Sequence, residues 1–145
     1  MEGIQILMFR KIKTMIKTFL GKGLSPAEIA FGVSLGNFVG ILPFLGLHTI
    51  MALGLAYLLR LNMGVVFLGT QISNPLSFPF ILFISAQIGS LVLYGSFLDL
   101  KFSGDVMMFI RQYIYPTLIG SIVLGLAIGL VTYPITLRFA RRFRA

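Results

Sequence analysis

The sequence predicts an all-helical, polytopic membrane protein with a re-entrant helical hairpin, a second broken helix and two net transmembrane crossings. Of its 145 residues, 57% are hydrophobic and 11% are charged, against about 45–50% and about 25% in soluble domains. No charged residue occurs in 29–59, 61–98 or 112–137, and each run exceeds the ~20 residues that cross a bilayer as a helix. Prolines and polar residues interrupt the first two runs.

Residues 1–22 predict a basic amphipathic helix at the membrane interface. Between Ile4 and Leu20, apolar residues recur at helical spacing on one side, whereas Arg10, Lys11 and Lys17 lie on the other. Such a helix suits an anionic cytoplasmic leaflet. A helix packed against the rest of the protein, with a solvated basic face, would show the same pattern.

The membrane domain, 23–137, begins with the predicted hairpin at 26–59. Ser25-Pro26-Ala27-Glu28 is a strong helix start, with Ser25 as N-cap. Pro43 and Gly46 interrupt the helix and divide it into arms of roughly 25 Å and 20 Å, short of the ~30 Å hydrocarbon core. We therefore expect the chain to turn back inside the bilayer. Four full transmembrane spans would also place both termini on one side of the membrane, and they remain an alternative.

A second broken segment covers 62–79, in which Asn74-Pro75 breaks the helix and Pro79 begins or kinks the next one. Two crossings are predicted at 80–98 and 116–137, followed by a basic cytoplasmic tail at 138–145. Because both terminal segments are basic, both termini of this multi-pass chain are predicted to be cytoplasmic.

Composition argues against several classes of function. The net charge of +8 comes mostly from residues that flank apolar runs, which is typical of membrane orientation rather than of nucleic-acid binding. The chain has no cysteine and one histidine, so no familiar metal site is expected. The charge-free runs offer no pair of carboxylates for acid–base catalysis. We expect no enzyme activity, catalytic residue or cofactor.

The candidate binding residues are polar groups at or between the two breaks. Broken helices expose free backbone groups, and the N-terminus of a half-helix carries a positive partial charge that can hold an anion. Each of these residues could instead have a capping role. The predicted substrate-binding residues are His48, Thr49, Arg60, Asn62, Thr70, Ser73, Asn74 and Ser77. The predicted helix-breaking residues are Pro43, Gly46, Pro75 and Pro79.

A set of motifs extends over about residues 20–135. They are Ser25-Pro26, Ile29-Ala30, Gly32, Gly36, Phe38, Gly40, Pro43, Gly46-Leu47-His48-Thr49, Arg60-Leu61-Asn62, Gly69-Thr70, Ser73-Asn74-Pro75, Ser77 and Pro79. These motifs resemble a bacterial membrane family catalogued as domain of unknown function twenty sixty-two. Where that family often has Asn-Pro-x-Thr, this chain has Asn74-Pro75-Leu76-Ser77, which keeps the hydroxyl.

The resemblance implies no established activity. Some similar proteins carry this domain fused to glycosyltransferase-like domains, which implies a link to cell-envelope glycan or lipid-carrier metabolism. The paired breaks are also similar, in architecture alone, to the re-entrant hairpins of DedA-type lipid-phosphate transporters.

Three functions remain open from the sequence. The first is transport or flipping of an anionic envelope lipid such as a polyprenyl phosphate, with Arg60 meeting the phosphate at the cytoplasmic interface. The second is a non-catalytic scaffold or accessory subunit that recruits an envelope glycosyltransferase through residues 1–22. The third is a small channel. The expected partners are membrane lipids and further copies of the chain, because so short a chain can hardly enclose a polar cavity alone.

Overall fold

The computed structural model describes residues 6–7, 10, 14, 23–44, 46–99 and 104–144, with residues 106, 143 and 144 in backbone only. All regular structure in these residues is helical, as predicted. The elements are α1 (Pro26–Ile41), α2 (Leu47–Leu58), α3 (Met63–Thr70), α4 (Phe78–Tyr94), α5 (Val106–Phe109), a π-helix (Ile110–Ile114) and α6 (Tyr115–Arg144).

The predicted capping box is present at the start of α1. The Ser25 hydroxyl accepts from the Glu28 N–H at 3.2 Å, and a Glu28 carboxylate oxygen accepts from the Ser25 N–H at 2.6 Å. This reciprocal pair satisfies two of the N–H groups that an α-helix leaves open at its start. It also assigns Glu28 the capping role that its spacing suggested.

Helices α1 and α3 run parallel and in close contact along a glycine face. A methyl group placed on Gly32 would lie 2.9 Å from a Val65 side-chain carbon, and one on Gly36 would overlap the Val66 carbonyl oxygen. Contacts thus advance in the same direction along both helices. Close approach of this kind is typical of small residues at spacing four in membrane helices. Because α2 connects the two, it runs the opposite way.

The long helix α6 is central, since it packs against α1 along one part and α4 along another. Both contacts are antiparallel. A methyl group on Gly125 would lie 3.0 Å from the Phe38 ring, and one on Gly129 would lie 3.4 Å from the Ser34 carbonyl oxygen. On the α4 side, a methyl group on Gly120 would overlap the carbonyl oxygen of Ser85.

These contacts place the last turn of α1, just before the first helix break, beside the middle of the charge-free part of α6. Phe38 lies one turn before the end of α1 and packs on Gly125, near the centre of the uncharged run 112–137. The opposite end of α1 packs with Val65 and Ala140 around Ile29. Helix α1 therefore lies alongside α6 from about Gly125 to Ala140.

One helix among the described residues, Met107–Arg142, is long and apolar enough to cross a membrane by length and composition. Helices α1, α2 and α4 are apolar but shorter. The predicted span at 116–137 thus belongs to a longer helix. Pro116 does not begin it, because the π-helix widens the turn ahead of this proline and the Tyr115 N–H reaches the Ile110 carbonyl oxygen.

Other predicted boundaries differ for local reasons. Helix α4 ends at Tyr94 rather than residue 98, because Gly95 adopts the left-handed conformation at φ 69° that closes a helix. Helix α6 continues through the basic residues of 138–145 to Arg144. Most of the interfacial helix predicted at 1–22 lies outside the described residues; Ile6, Leu7, Arg10 and Thr14 are helical.

Candidate functional site

The two helix breaks lie side by side. A methyl group placed on Gly40, one residue before the end of α1, would lie 3.1 Å from the Thr70 carbonyl oxygen and 3.5 Å from an Ile72 methyl. Thr70 ends α3, and Ile72 belongs to the second break. The C-terminal ends of two parallel half-helices and the loops that follow them therefore meet at one level, beside the first half of α6.

The first break is stabilised by backbone groups and by His48. The Phe44 carbonyl oxygen accepts from the Leu47 N–H at 3.1 Å and from the His48 N–H at 3.0 Å. Nδ1 of His48 lies 3.1 Å from the same oxygen and donates to it in the tautomer that carries the proton there. Gly46 has φ 77° and precedes α2, which is a backbone conformation that favours glycine. His48 thus has a structural partner within its own turn.

The second break is a closed hydrogen-bonded turn. The Asn74 side-chain oxygen accepts from the N–H groups of Leu76 (3.0 Å) and Ser77 (2.9 Å). The Ser77 hydroxyl donates to the Ile72 carbonyl at 2.6 Å and accepts from the Asn74 N–H at 3.0 Å. Pro75 lies inside this turn, and Pro79 follows in the first turn of α4, where its missing N–H removes no helical bond. Asn74 and Ser77 therefore stabilise the turn itself.

Thr70 and Thr49 flank the breaks. Thr70 is 1% exposed, and its hydroxyl donates to the Phe67 carbonyl at 2.7 Å. Thr49 is half-buried in the first turn of α2. Thr70 therefore bonds back to its own helix, which satisfies its hydroxyl locally.

Ser73 differs from its neighbours, because its buried hydroxyl has no hydrogen-bond partner among the described residues. Two other serines share this property, Ser34 on α1 and Ser85 on α4. An unpartnered buried hydroxyl costs roughly 1–3 kcal/mol of desolvation. Of the three, Ser73 alone lies inside a helix break, next to backbone groups that the break releases from helical bonding.

The four longer helices that flank the breaks are capped differently at their two ends. At the end near Arg60, α1 and α3 begin with side-chain caps from Ser25 and Asn62; the Asn62 side chain accepts from the Val65 N–H at 3.2 Å. At the breaks, α2 and α4 begin at Gly46 and Ser77 without a side-chain cap hydrogen bond. Backbone carbonyls bond the first N–H groups there instead: Phe44 accepts from Leu47 and His48, and Asn74 accepts from Phe78. Because a helix N-terminus carries positive partial charge, two such ends, uncapped by side chains, lie in the region of the breaks.

The structure separates Arg60 and Asn62 from the breaks. Arg60 follows His48 by 12 residues, most of them in α2, which is a rise of about 18 Å. Asn62 begins α3 at the same end, near the cluster of Ile29, Val65 and Ala140. The predicted residues thus form two groups, one basic and near the α6 C-terminus, the other at the breaks.

Arg60 adopts an unusual backbone conformation. Its φ is 55°, and it is the sole non-glycine residue with positive φ in the described part of the chain. The Leu61 N–H bonds the Ala56 carbonyl at 2.8 Å, and the Arg60 N–H bonds the Tyr57 carbonyl at 3.2 Å. This is a Schellman turn, in which glycine is the usual residue. A left-handed non-glycine residue costs about 1–2 kcal/mol, and the arginine side chain is exposed.

An apolar groove of about 480 Å³ opens beside the breaks. Its wall combines the loop after α1, the first turns of α4, the π-helix and the start of α6. The Phe109 and Tyr113 rings, 4.9 Å apart, form part of it. The lining residues are Pro43, Phe44, Phe78, Leu82, Phe109, Tyr113, Ile114, Thr117 and Leu118.

Sequence reasoning missed two features. The Asn37 side-chain amide on α1 donates to the Thr132 hydroxyl on α6 at 3.1 Å, and the Thr132 hydroxyl donates to the Ile128 carbonyl. A buried asparagine in an otherwise apolar helix was the available signal. The π-helix was the second feature, and its signal was a proline that follows an apolar helical pattern without an intervening loop.

Comparison with known proteins identifies the family. The model of a family described as an uncharacterized protein conserved in bacteria (DUF2062) matches residues 9–145. The chain belongs to this family. No curated protein matches the chain, and no solved structure does. The predicted resemblance is therefore confirmed, while the description of the family leaves its function to be argued from the site.

Proposed function

We propose that the protein moves an anionic envelope lipid, such as a polyprenyl phosphate, between the two leaflets of a bacterial inner membrane. The observation that carries the proposal is the meeting of two helix breaks beside the first half of α6, where α2 and α4 begin without side-chain caps. Half-helix N-termini at membrane depth are the means by which several transporters hold anionic groups.

The proposal places the protein in the membrane as follows. Helices α1 and α2 form a re-entrant hairpin, α3 and α4 together make one discontinuous crossing, and α6 returns. Both termini lie in the cytoplasm, because Arg60, Arg138, Arg141 and Arg142 belong to one end of the bundle. Irregular backbone at membrane depth must be buried in protein or face a wet cavity, and the packing of Gly40 against Thr70 buries part of both breaks.

The steps of transport follow from this arrangement. Arg60, exposed at the cytoplasmic interface, receives the lipid phosphate. The uncapped ends of α2 and α4 and the free Ser73 hydroxyl lower the cost of carrying that charge through the bilayer centre. His48, Thr70, Asn74 and Ser77 act mainly by holding the two breaks in shape, because each has a partner in its own turn.

The proposal is tested with purified protein in liposomes that contain a labelled polyprenyl phosphate. A phosphatase added outside releases phosphate only from the outer leaflet. We expect the protein to bring the inner-leaflet pool within reach of the enzyme, and liposomes without protein to keep it protected. Continued protection in the presence of correctly inserted protein would overturn the proposal.

A scaffold for an envelope glycosyltransferase is the second candidate. It is favoured by the local hydrogen bonds of Asn74, Ser77 and His48, which leave few free polar side chains for a substrate. Under this hypothesis, removing residues 1–22 abolishes function in cells, whereas Ser73→Ala has no effect. Transport by the truncated protein in liposomes would decide against the scaffold.

A further inference from the structure

We infer that the groove between the first break and the π-helix binds the hydrocarbon chain of the transported lipid while the phosphate lies at the breaks. This inference rests on the proposed function and assigns its substrate a second point of contact. The groove adjoins both uncapped helix ends: Phe44 precedes Gly46 by two residues, and Phe78 is the first residue of α4. A head group at the helix ends would therefore have its chain at the groove.

The chemistry of the lining fits a hydrocarbon chain. Of the lining side chains, those of Tyr113 and Thr117 carry polar atoms, and the Thr117 hydroxyl donates to the Tyr113 carbonyl at 2.6 Å. The Phe44 carbonyl is already bonded to the first turn of α2. An extended peptide would bring unpaired N–H and C=O groups to a wall that offers few partners, whereas a hydrocarbon chain needs none.

The size of the groove argues against a helix from a second copy of the chain. An α-helix with its side chains is about 10–12 Å wide, so roughly 480 Å³ would hold little more than one helical turn. That volume lies within the ~300–1,000 Å³ typical of sites for small molecules. A single lipid chain is thinner than a helix and could use the whole length of the groove.

Phe109 and Tyr113 give the groove an aromatic wall. They are four residues apart at the junction of α5 and the π-helix, and their rings lie 4.9 Å apart, as residues at this spacing on a helix do. A π-helix frequently occurs at functional sites. The two aromatic rings offer a broad apolar surface, and Phe109 is 43% exposed, so this wall is open to an incoming chain.

The test uses a polyprenyl phosphate with a photoactivatable diazirine on its chain, in liposomes of phosphatidylethanolamine and phosphatidylglycerol. Crosslinked residues are mapped by mass spectrometry. We expect labels on Phe109, Tyr113 and Ile114 that unlabelled polyprenyl phosphate displaces and added phosphatidylglycerol does not. Equal displacement by both lipids, or equal labelling around α6, would mean ordinary contact with bulk lipid and would overturn the inference.

Ile114→Trp is designed to fill the groove. Its matched control is Ile122→Trp on the same long helix. The two isoleucines are 43% and 44% exposed, but Ile122 does not line the groove. We expect displaceable labelling to fall roughly tenfold in Ile114→Trp, as for an overfilled site, and to persist in Ile122→Trp. Leu82→Trp fills the groove from the α4 side and replaces Ile114→Trp in the test if that variant fails to insert. Unchanged labelling in the groove variants contradicts the inference.

The two proposals fail separately. Displaceable labelling in the groove without leaflet exchange would leave the chain site standing and reject transport. Leaflet exchange without displaceable labelling at the groove would leave transport standing and reject the chain site.

Discussion

Arg60 combines an exposed charge with a backbone conformation that suits glycine. The strain of φ 55° does not help the turn, since glycine would make the same Schellman hydrogen bonds at lower cost. An arginine at the end of α2 does interact favourably with the helix dipole, by about 0.3–1 kcal/mol at an exposed position. Because this gain in free energy is no larger than the cost of the strained backbone, the structure favours a role for the Arg60 side chain other than stabilising the fold.

Arg60→Gly tests this directly. The variant keeps the turn and removes the side chain, so we expect stability in detergent to be unchanged or up to about 1 kcal/mol higher. Leaflet exchange of a polyprenyl phosphate should fall, because the cytoplasmic contact with the phosphate is lost. Arg60→Lys is the control that keeps the charge. Normal exchange by Arg60→Gly would show that Arg60 does not contact the lipid.

Asn74 has a different status, because its side chain holds the second break together. Removing an oxygen that accepts from two backbone N–H groups, at 3.0 and 2.9 Å, should cost about 1 kcal/mol. We therefore expect Asn74→Ala to unfold earlier in a thermal melt and Asn74→Asp, which keeps the accepting oxygen, to unfold later than Asn74→Ala. Equal stability of wild type and Asn74→Ala would contradict the capping role.

At the scale of elements, close contact between α1 and α3 sets the position of the breaks. A methyl group on Gly36 would overlap the Val66 carbonyl, whereas Gly54 on α2 has open space around it. We expect Gly36→Ala to lower the free energy of unfolding by about 1–3 kcal/mol and Gly54→Ala to raise it by up to about 1 kcal/mol. Denaturation in detergent measures both. A stable Gly36→Ala would show that the two helices do not pack this closely.

The polar link between α1 and α6 is a second test at this scale. Asn37 and Thr132 join α1 to α6 through a hydrogen bond of 3.1 Å. A double-mutant cycle with Asn37→Leu and Thr132→Val should give a coupling of about 0.6 kcal/mol, the average for hydrogen bonds between membrane helices. Strictly additive effects would mean that the bond contributes nothing to this packing.

The sequence predicted best those elements whose start or end is determined by contacts within one helical turn. Ser25, Pro26 and Glu28 determine the start of α1 through contacts within one turn, and Pro43 and Asn74-Pro75 lie at the two breaks, whereas Pro134 is accommodated inside α6. Ahead of the span predicted at 116–137, helical structure continues back through the π-helix. The end of α4 at Gly95 depends on a glycine whose left-handed φ the apolar pattern does not reveal.

The candidate site was harder to predict, because side-chain partners depend on the geometry of the turns. The sequence predicted polar residues at both breaks, and the structure brings those breaks together. The sequence alone could not reveal that Asn74 and Ser77 bond each other's backbone groups, or that α2 and α4 begin without side-chain caps. Nor could it reveal that the Ser73 hydroxyl has no hydrogen-bond partner among the described residues.

At the scale of the whole molecule, a re-entrant hairpin and a pair of full spans differ in where the tip between α1 and α2 lies. The chain has no cysteine, so single cysteines can be labelled in cells with a maleimide that does not cross the membrane. We expect Gly104→Cys to be labelled from the periplasm and Phe44→Cys to be protected from that side. Labelling of both to the same extent would favour full spans and remove the mid-membrane site.

The central claim is that a lipid phosphate passes the two breaks, and leaflet exchange in liposomes by Ser73→Ala and Ser85→Ala tests it most directly. Both variants delete a buried hydroxyl that has no partner among the described residues, so neither should lose stability. Because a hydrogen bond to a charged group contributes about 1.5–3 kcal/mol, we predict that exchange falls about tenfold or more in Ser73→Ala and stays at the wild-type rate in Ser85→Ala. Equal exchange by wild type and both variants would contradict the account.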